Sequence, residues 1–221
     1  MIFRPGNMTV ETLPATPLPE LLNRQGIILK HTSRFYEEIP PNTLRLWCHI
    51  YARYGIPTVE LLGWLRNYIG NRKAIEIGSG TGDLARHLGI PATDNRMQEW
   101  PEIRAYYHAL QQPVIHYPSW VEALDALDAV RKYKPDIVIG SWITQWISPL
   151  EAPPEGGGSV YGVREADMLN LGVTYIMIGN EDLHGRKEIL KLPHKTYRFR
   201  FLRSRAVDPS KNLIYVWERA N

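Results

Sequence analysis

The chain has one cysteine in 221 residues, Cys48. No disulfide can form within it, which fits a reducing compartment and a cytoplasmic location. No apolar run approaches the ~20 residues of a membrane-spanning helix, so no membrane partner is expected. The opening stretch MIFRPGNMTVETLP lacks the charged-then-apolar order of a secretion signal. Neither sign of charge is in large excess: 26 Lys and Arg stand against 23 Asp and Glu, a net +3. That balance does not indicate nucleic acid as a partner. The seven histidines show no metal-ligand spacing with cysteine, so no metal is expected. Cys48 lies in the apolar stretch LRLWCHIYARY, where a thiol reads as buried and inert.

What is present is a turn rich in glycine. Residues Ala74 to Leu88 read AIEIGSGTGDLARHL: a short apolar run, then Gly78, Gly80 and Gly82, then a helical pattern from Asp83. Strand, glycine turn and helix in that order build a nucleotide crevice at the carboxyl end of a strand. A dinucleotide fingerprint, G-x-G-x-x-G, needs its third glycine at position 83, which is Asp83, and a carboxylate there repels a pyrophosphate. No G-x-x-x-x-G-K-S/T occurs, which argues against a P-loop. The preceding carboxylate, Glu76, suits a ligand carrying an ammonium or sulfonium charge.

This segment resembles motif I of the class I S-adenosylmethionine-dependent methyltransferases, E/D-x-G-x-G-x-G, at every fixed position: Glu76, Gly78, Gly80 and Gly82. The resemblance implies S-adenosylmethionine as cofactor and a three-layer, Rossmann-like α/β fold. It also implies a mostly parallel seven-stranded sheet with a C-terminal antiparallel hairpin. The implied cofactor-binding set is Glu76, Gly78, Ser79, Gly80, Gly82, Asp94, Ser119 and Ser141. Asp94 lies about 16 residues beyond Gly78, where a carboxylate bonds ribose hydroxyls; its other reading is a turn-opening residue. After the third strand the family places a carboxylate for the adenine amino group. The chain offers Ser119 there, with Tyr117 or Trp120 to pack on the purine.

The alternation of apolar runs and helical periods places strands at about 74–77, 90–94, 114–117, 136–140 and 174–178. Helices fall at about 83–88, 98–110, 120–133 and 163–170, and two closing strands at about 197–203 and 213–218. The Pro-rich first 40 residues form an arm with a short helix near 19–25. Helices over 43–54 and 57–69 form a cap ahead of the first strand. We therefore divide the chain into an arm and helical cap, 1–70, and a cofactor-binding domain, 71–221.

Past the fourth strand the chain reads Gly140-Ser141-Trp142-Ile143-Thr144-Gln145-Trp146. The D/N-P-P-Y/F of enzymes that methylate base amines in DNA is absent, and Cys48 lacks the preceding proline of the cytosine-C5 class. The acceptor therefore reads as a small molecule. If helical, the segment puts Trp142 and Trp146 on one face, lining an acceptor pocket or filling core. The Gly/Pro-rich loop 151–162 reads as a lid beside it. Methyl transfer forces no catalytic base; His49, Tyr36, Tyr54, His116 and His184 are candidates on paper. In HKTYRFRFLRSR, residues 194–205, aromatics alternate with arginines as in an edge strand guarded by charge. The reading is a methyltransferase; the alternative, favoured by the absent carboxylate, is a non-catalytic methyltransferase-like binding or scaffold protein.

Overall fold

The computed structural model describes residues 18–150 and 158–219. Helix α1 spans Ser33–Glu37 and α2 Pro41–Ile50; strand β1 is Gly55–Ile56, and α3 follows at Val59–Ile69. Thr58 starts α3 by accepting from the Leu61 N–H at 3.2 Å, the usual work of a capping hydroxyl. The alternating part is β2 (Ala74–Ile77), α4 (Asp83–Leu88), β3 (Ala92–Asp94), α5 (Pro101–Ala109), β4 (Val121–Ala123), α6 (Ala126–Tyr133), β5 (Ile137–Ser141), α7 (Glu165–Leu169) and β6 (Thr174–Asn180). The chain closes through α8 (Glu181–His184), β7 (Lys195–Tyr197), β8 (Arg203–Ser204) and β9 (Asn212–Trp217).

Seven strands form one sheet in the order β4-β3-β2-β5-β6-β9-β7. Strands β4, β3, β2, β5 and β6 run parallel, and β9 runs antiparallel to both neighbours, β6 and β7. The chain leaves β2 outward to β3 and β4, then returns to β5 on the other side of β2. A crevice opens at such a reversal, outside the carboxyl ends of the strands. Strands β5, β6 and β9 are buried along nearly their whole length, as a sheet covered on both faces requires. Ile137 and Ile139 of β5 pack with α3 and α4 through Leu62, Leu65 and Leu84. Val138 faces the other layer, with Ala129 and Val130 of α6 and Met168 of α7.

Of the two helices expected in the cap, α3 thus covers the sheet. A separate cluster of Leu21, Ile28, Tyr36, Leu44, Trp47, Cys48 and Ile56 forms a small core ahead of it. Burial pushes the Cys48 thiol up to about 12, which leaves it protonated and inert. The cap is tied down by β1, which pairs antiparallel with β8. No helix among the described residues is long and apolar enough to cross a membrane.

Four local expectations are corrected. Residues 114–117 are not a strand: the Ile115 N–H goes to the Gln98 side chain at 2.8 Å, and Pro118 has no N–H to offer a ladder. The edge strand is β4, pairing Ala92 with Val121 and Asp94 with Ala123. The helix expected over 120–133 therefore begins only at Ala126, where the Asp125 carboxylate caps it by accepting from the Leu127 N–H at 3.0 Å. The short helix near 19–25 is a turn, because the Asn23 side chain accepts from the N–H groups of Gln25 and Ile27. The strand expected over 197–203 breaks after Tyr197. There Phe199 and Phe201 stack at 4.6 Å and Phe199 packs on Trp64 of α3 at 5.8 Å, drawing the chain off the sheet.

Because Leu62 is fully buried against the sheet, Leu62→Ala should cost about 2–5 kcal/mol of global stability. Urea unfolding followed by tryptophan fluorescence checks this; an unshifted midpoint would make α3 a detachable cover.

Candidate functional site

The turn after β2 is held in the left-handed region at Gly78 (φ +51°), Gly80 (+57°) and Gly82 (+69°), where side chains are strained. Space is short as well: a Cβ on Gly78 would meet Ile143 Cδ1 at 2.5 Å, and one on Gly82 would meet Val121 Cγ2 at 2.7 Å. The Gly80 N–H donates to Asp94 Oδ2 at 2.9 Å and the Ala85 N–H to Glu76 Oε2 at 2.8 Å. Ser79 Oγ is buried at this turn with no hydrogen-bond partner among the described residues, an unmet demand that a ligand can satisfy.

Three carboxylates surround the turn, in three different states. Asp94 accepts from the Gly80 N–H, the Arg96 N–H at 2.8 Å and the Tyr117 hydroxyl. Of a carboxylate's roughly four acceptor sites, one remains. Burial still raises its pKa, against the pull of those donors. Asp83 is buried and paired: its Oδ2 lies 2.8 Å from Arg53 Nε and its Oδ1 accepts from the Ile28 N–H at 2.9 Å. The repulsion expected of Asp83 toward a pyrophosphate is therefore largely neutralised by Arg53, and the argument against a dinucleotide rests on glycine spacing. Glu76, 2% exposed, is pushed up to about 8, by burial first and then by the charges of Asp83 and Asp94.

Ser119 stands apart from the other expected residues. It is exposed, in the turn before β4, and does not line the cleft. The carboxylate expected after the third parallel strand exists, as Asp125, two residues past Ala123 and lining the cleft. Displacement of the strand from 114–117 to 121–123 hid it. Val121-Glu122-Ala123 carries none of the Val/Ile-rich signal of a strand, although an Asp two residues beyond a short apolar step was visible. Tyr117 lines the cleft, whereas Trp120 packs at the back of the turn under Arg86.

The loop after β5 supplies the opposite wall. Ser141 and Trp142 line the cleft. Trp142 holds φ +61°, an arrangement costing ~1–3 kcal/mol for a bulky residue. Its N–H bonds the Ile178 carbonyl at 2.8 Å, and its ring meets His184 edge-on at 5.3 Å. Below it, Lys187 Nζ donates to the Ile143 carbonyl (2.9 Å) and to Glu165 Oε1 (2.7 Å), which also accepts from the Tyr175 hydroxyl (2.8 Å). The segment is not helical. Gln145 and Trp146 bridge to Val163 and Ser159, so Trp142 and Trp146 share no face, and Trp146 lies under Arg164 at 4.1 Å, away from the cleft. Residues 151–157 of the expected lid lie outside the described residues; Gly158 and Tyr161–Val163 line the cleft.

The cleft encloses about 1140 Å³. Its third wall comes from α2 and the chain around β1 and β8, through Arg45, His49, Tyr54 and Arg205. Of the five candidate bases, His49, Tyr54 and His184 line it, whereas Tyr36 lies in the cap core and His116 faces solvent. Burial and the nearby Arg205 charge hold His49 below its ordinary value. His184, pressed down to about 4 by burial, accepts the Asn180 N–H at Nδ1, 3.0 Å away.

Glu76 gives folding a pH signature. Unfolding exposes a carboxyl with a pKa near 4.5, while the folded one holds its proton to about 8. Between those values the folded state binds more protons, so this contribution to stability falls as pH rises, by up to ~1.4 kcal/mol per pH unit. Glu76→Gln, which keeps an acceptor for the Ala85 N–H, should flatten that fall. Parallel denaturation curves for both proteins at pH 5.5 and 8.0 check it.

No protein-family model matches the chain, and no curated protein sequence matches it. Solved structures do. One is a Staphylococcus aureus protein provisionally named a caffeoyl-CoA O-methyltransferase, 12% identical over 83% of this chain and 94% of that one, TM-score 0.39. Another is precorrin-6y C5,15-methyltransferase from Geobacter metallireducens, 11% identical over 74% and 90%, TM-score 0.34. A third is a SAM-dependent methyltransferase from Agrobacterium tumefaciens, 12% identical over 72% and 61%, TM-score 0.32. By its own strand order, with one antiparallel strand next to the edge and the glycine turn after the central β2, the chain has a three-layer, Rossmann-like α/β fold.

Proposed function

We propose that the protein is an S-adenosylmethionine-dependent methyltransferase acting on a small-molecule acceptor. The observation that carries this reading is the set of carboxylates at the carboxyl edge of the sheet: Glu76, Asp94 and Asp125, all lining one cleft beside a glycine turn. They offer acceptor oxygens, with Glu76 holding its proton to about 8, and suit a ligand that presents hydroxyls and an amino group. The buried, unpartnered Ser79 Oγ and the absence of a Cβ at Gly80 give such a ligand a cradle. When bound, S-adenosylmethionine supplies a methyl group that an acceptor lone pair takes as the sulfonium becomes a thioether.

The remaining work falls to this chain. Asp94 has one acceptor site left for a ribose hydroxyl. Asp125 takes the adenine amino group while continuing to cap α6, and Tyr117 flanks the purine. Ser141 and Trp142 border the space between the turn and the cap, holding the acceptor in line and excluding water. A neutral acceptor group must also lose a proton; His49, an imidazole lining the cleft whose pKa burial and Arg205 lower, is the group to receive it. Asp125 removes the reason to prefer a non-catalytic scaffold, which rested on a missing carboxylate.

Calorimetry with S-adenosylmethionine, S-adenosylhomocysteine and NAD tests the reading. The first two should bind and NAD should not; heat with NAD alone would overturn it. Asp125→Ser keeps a capping oxygen but withdraws the charge, and should weaken S-adenosylhomocysteine at least tenfold, or about 1.4 kcal/mol. Unchanged affinity would return Asp125 to helix capping alone.

A further inference from the structure

The cleft is lined by charges of both signs. Glu76, Asp83, Asp94 and Asp125 stand around the turn, and Arg45, Arg53, Arg203 and Arg205 line the cap side. Three cations of the cleft already have an anion. Arg53 is paired with Asp83, Lys187 with Glu165, and Arg203 with Glu37. Arg45 and Arg205 line the same cleft and form no ion pair among the described residues. The nearby acids Asp182 and Asp208 face Lys211, at 2.7 and 3.9 Å.

Two features place Arg45 and Arg205 at one locus. Arg45 and His49 are four apart on α2 and share a face, and the charge of Arg205 reaches His49. The Arg205 guanidinium is fixed: its Cζ lies 3.6 Å from the Tyr54 ring centroid, and its backbone N–H donates to the Tyr54 carbonyl at 3.0 Å. Arg45 Nε is buried with no hydrogen-bond partner among the described residues. A buried guanidinium donor left unpaired costs stability unless something meets it, and planar guanidinium forks match carboxylate and phosphate oxygens. The space beside them is walled by rings, Tyr54 standing 6.4 Å from Trp142 and hydrogen-bonded to Tyr107.

We propose that the cap end of the cleft is an anion subsite, in which Arg45 and Arg205 grip a carboxylate or phosphate on a methyl acceptor whose planar body lies against Tyr54 and Trp142. This rests on the methyl-transfer reading for the word acceptor, but the subsite itself is a property of these side chains. It selects anionic aromatic acceptors over their neutral isosteres, and it orders the two ligands by charge along one cleft.

The test titrates 4-hydroxybenzoate, phenyl phosphate and the neutral 4-hydroxybenzamide into the full-length protein, with and without S-adenosylhomocysteine, following tryptophan fluorescence and heat. At least one anion should bind at least tenfold more tightly than the amide, the tighter one naming the carboxylate or the phosphate form. Arg45→Met and Arg205→Met should each erase that preference while leaving S-adenosylhomocysteine affinity and the melting temperature near wild type. Should Arg205→Met fail to fold, Arg45→Met decides alone. Neither anion outbinding the amide, or a preference that survives in Arg45→Met, overturns the subsite and leaves methyl transfer standing. Anion preference without S-adenosylhomocysteine binding keeps the subsite and sinks methyl transfer.

Discussion

One buried carboxylate, Asp83, joins the cap to the glycine turn. It holds Arg53 from the cap side at 2.8 Å, the backbone N–H of Ile28 at 2.9 Å and the Thr81 hydroxyl at 2.6 Å. Arg53 in turn donates to the carbonyls of Tyr51 and Gly26, and His87, one turn along α4, bonds the Ile28 carbonyl at 2.7 Å. A buried pair of this kind returns little net energy, but losing one partner strands the other charge. Its value here is placement: it fixes the third wall of the cleft relative to the turn.

With the cap fixed, the cleft acquires its polarity. Asp83 spends its charge on Arg53, so the anionic character left at the turn belongs to Asp94, Asp125 and, when ionised, Glu76. Lys187 spends its charge on Glu165 beneath the loop after β5, where it braces the Ile143 carbonyl. Two buried ion pairs have thus neutralised Arg53, Asp83 and Lys187, three of the charged residues that line the cleft.

The sequence was most readable where one physical rule dominates. Strand β5 is an unbroken apolar run because both of its faces are covered, and the turn at Gly78–Gly82 is written in glycine because its backbone lies in the left-handed region. Legibility failed where a tertiary contact overrides local preference. Val121-Glu122-Ala123 becomes a strand because β3 offers it an edge, not because its residues favour one, and Ser119 stood in for Asp125 as a result. Trp142 and Trp146 look like one helical face, yet bridges from Gln145 to Val163 and from Trp146 to Ser159 spread them apart. Arg205 was read within an edge strand; its place over Tyr54 depends on β1 meeting β8, a pairing across some 150 residues that no local pattern announces.

Trp142 and Gly55 touch across that same seam. A Cβ on residue 55 would stand 3.1 Å from the indole Nε1, tighter than a side chain tolerates without a neighbour yielding. The indole has little room to yield, since its backbone is held in the left-handed region by the Ile178 carbonyl and its ring abuts His184. The two positions therefore constrain each other: a side chain at 55 requires the indole of Trp142 to shift by a few tenths of an ångström. A wall of the cleft drawn from distant parts of the chain would then change its shape by paired substitutions at 55 and 142 more readily than by a single one.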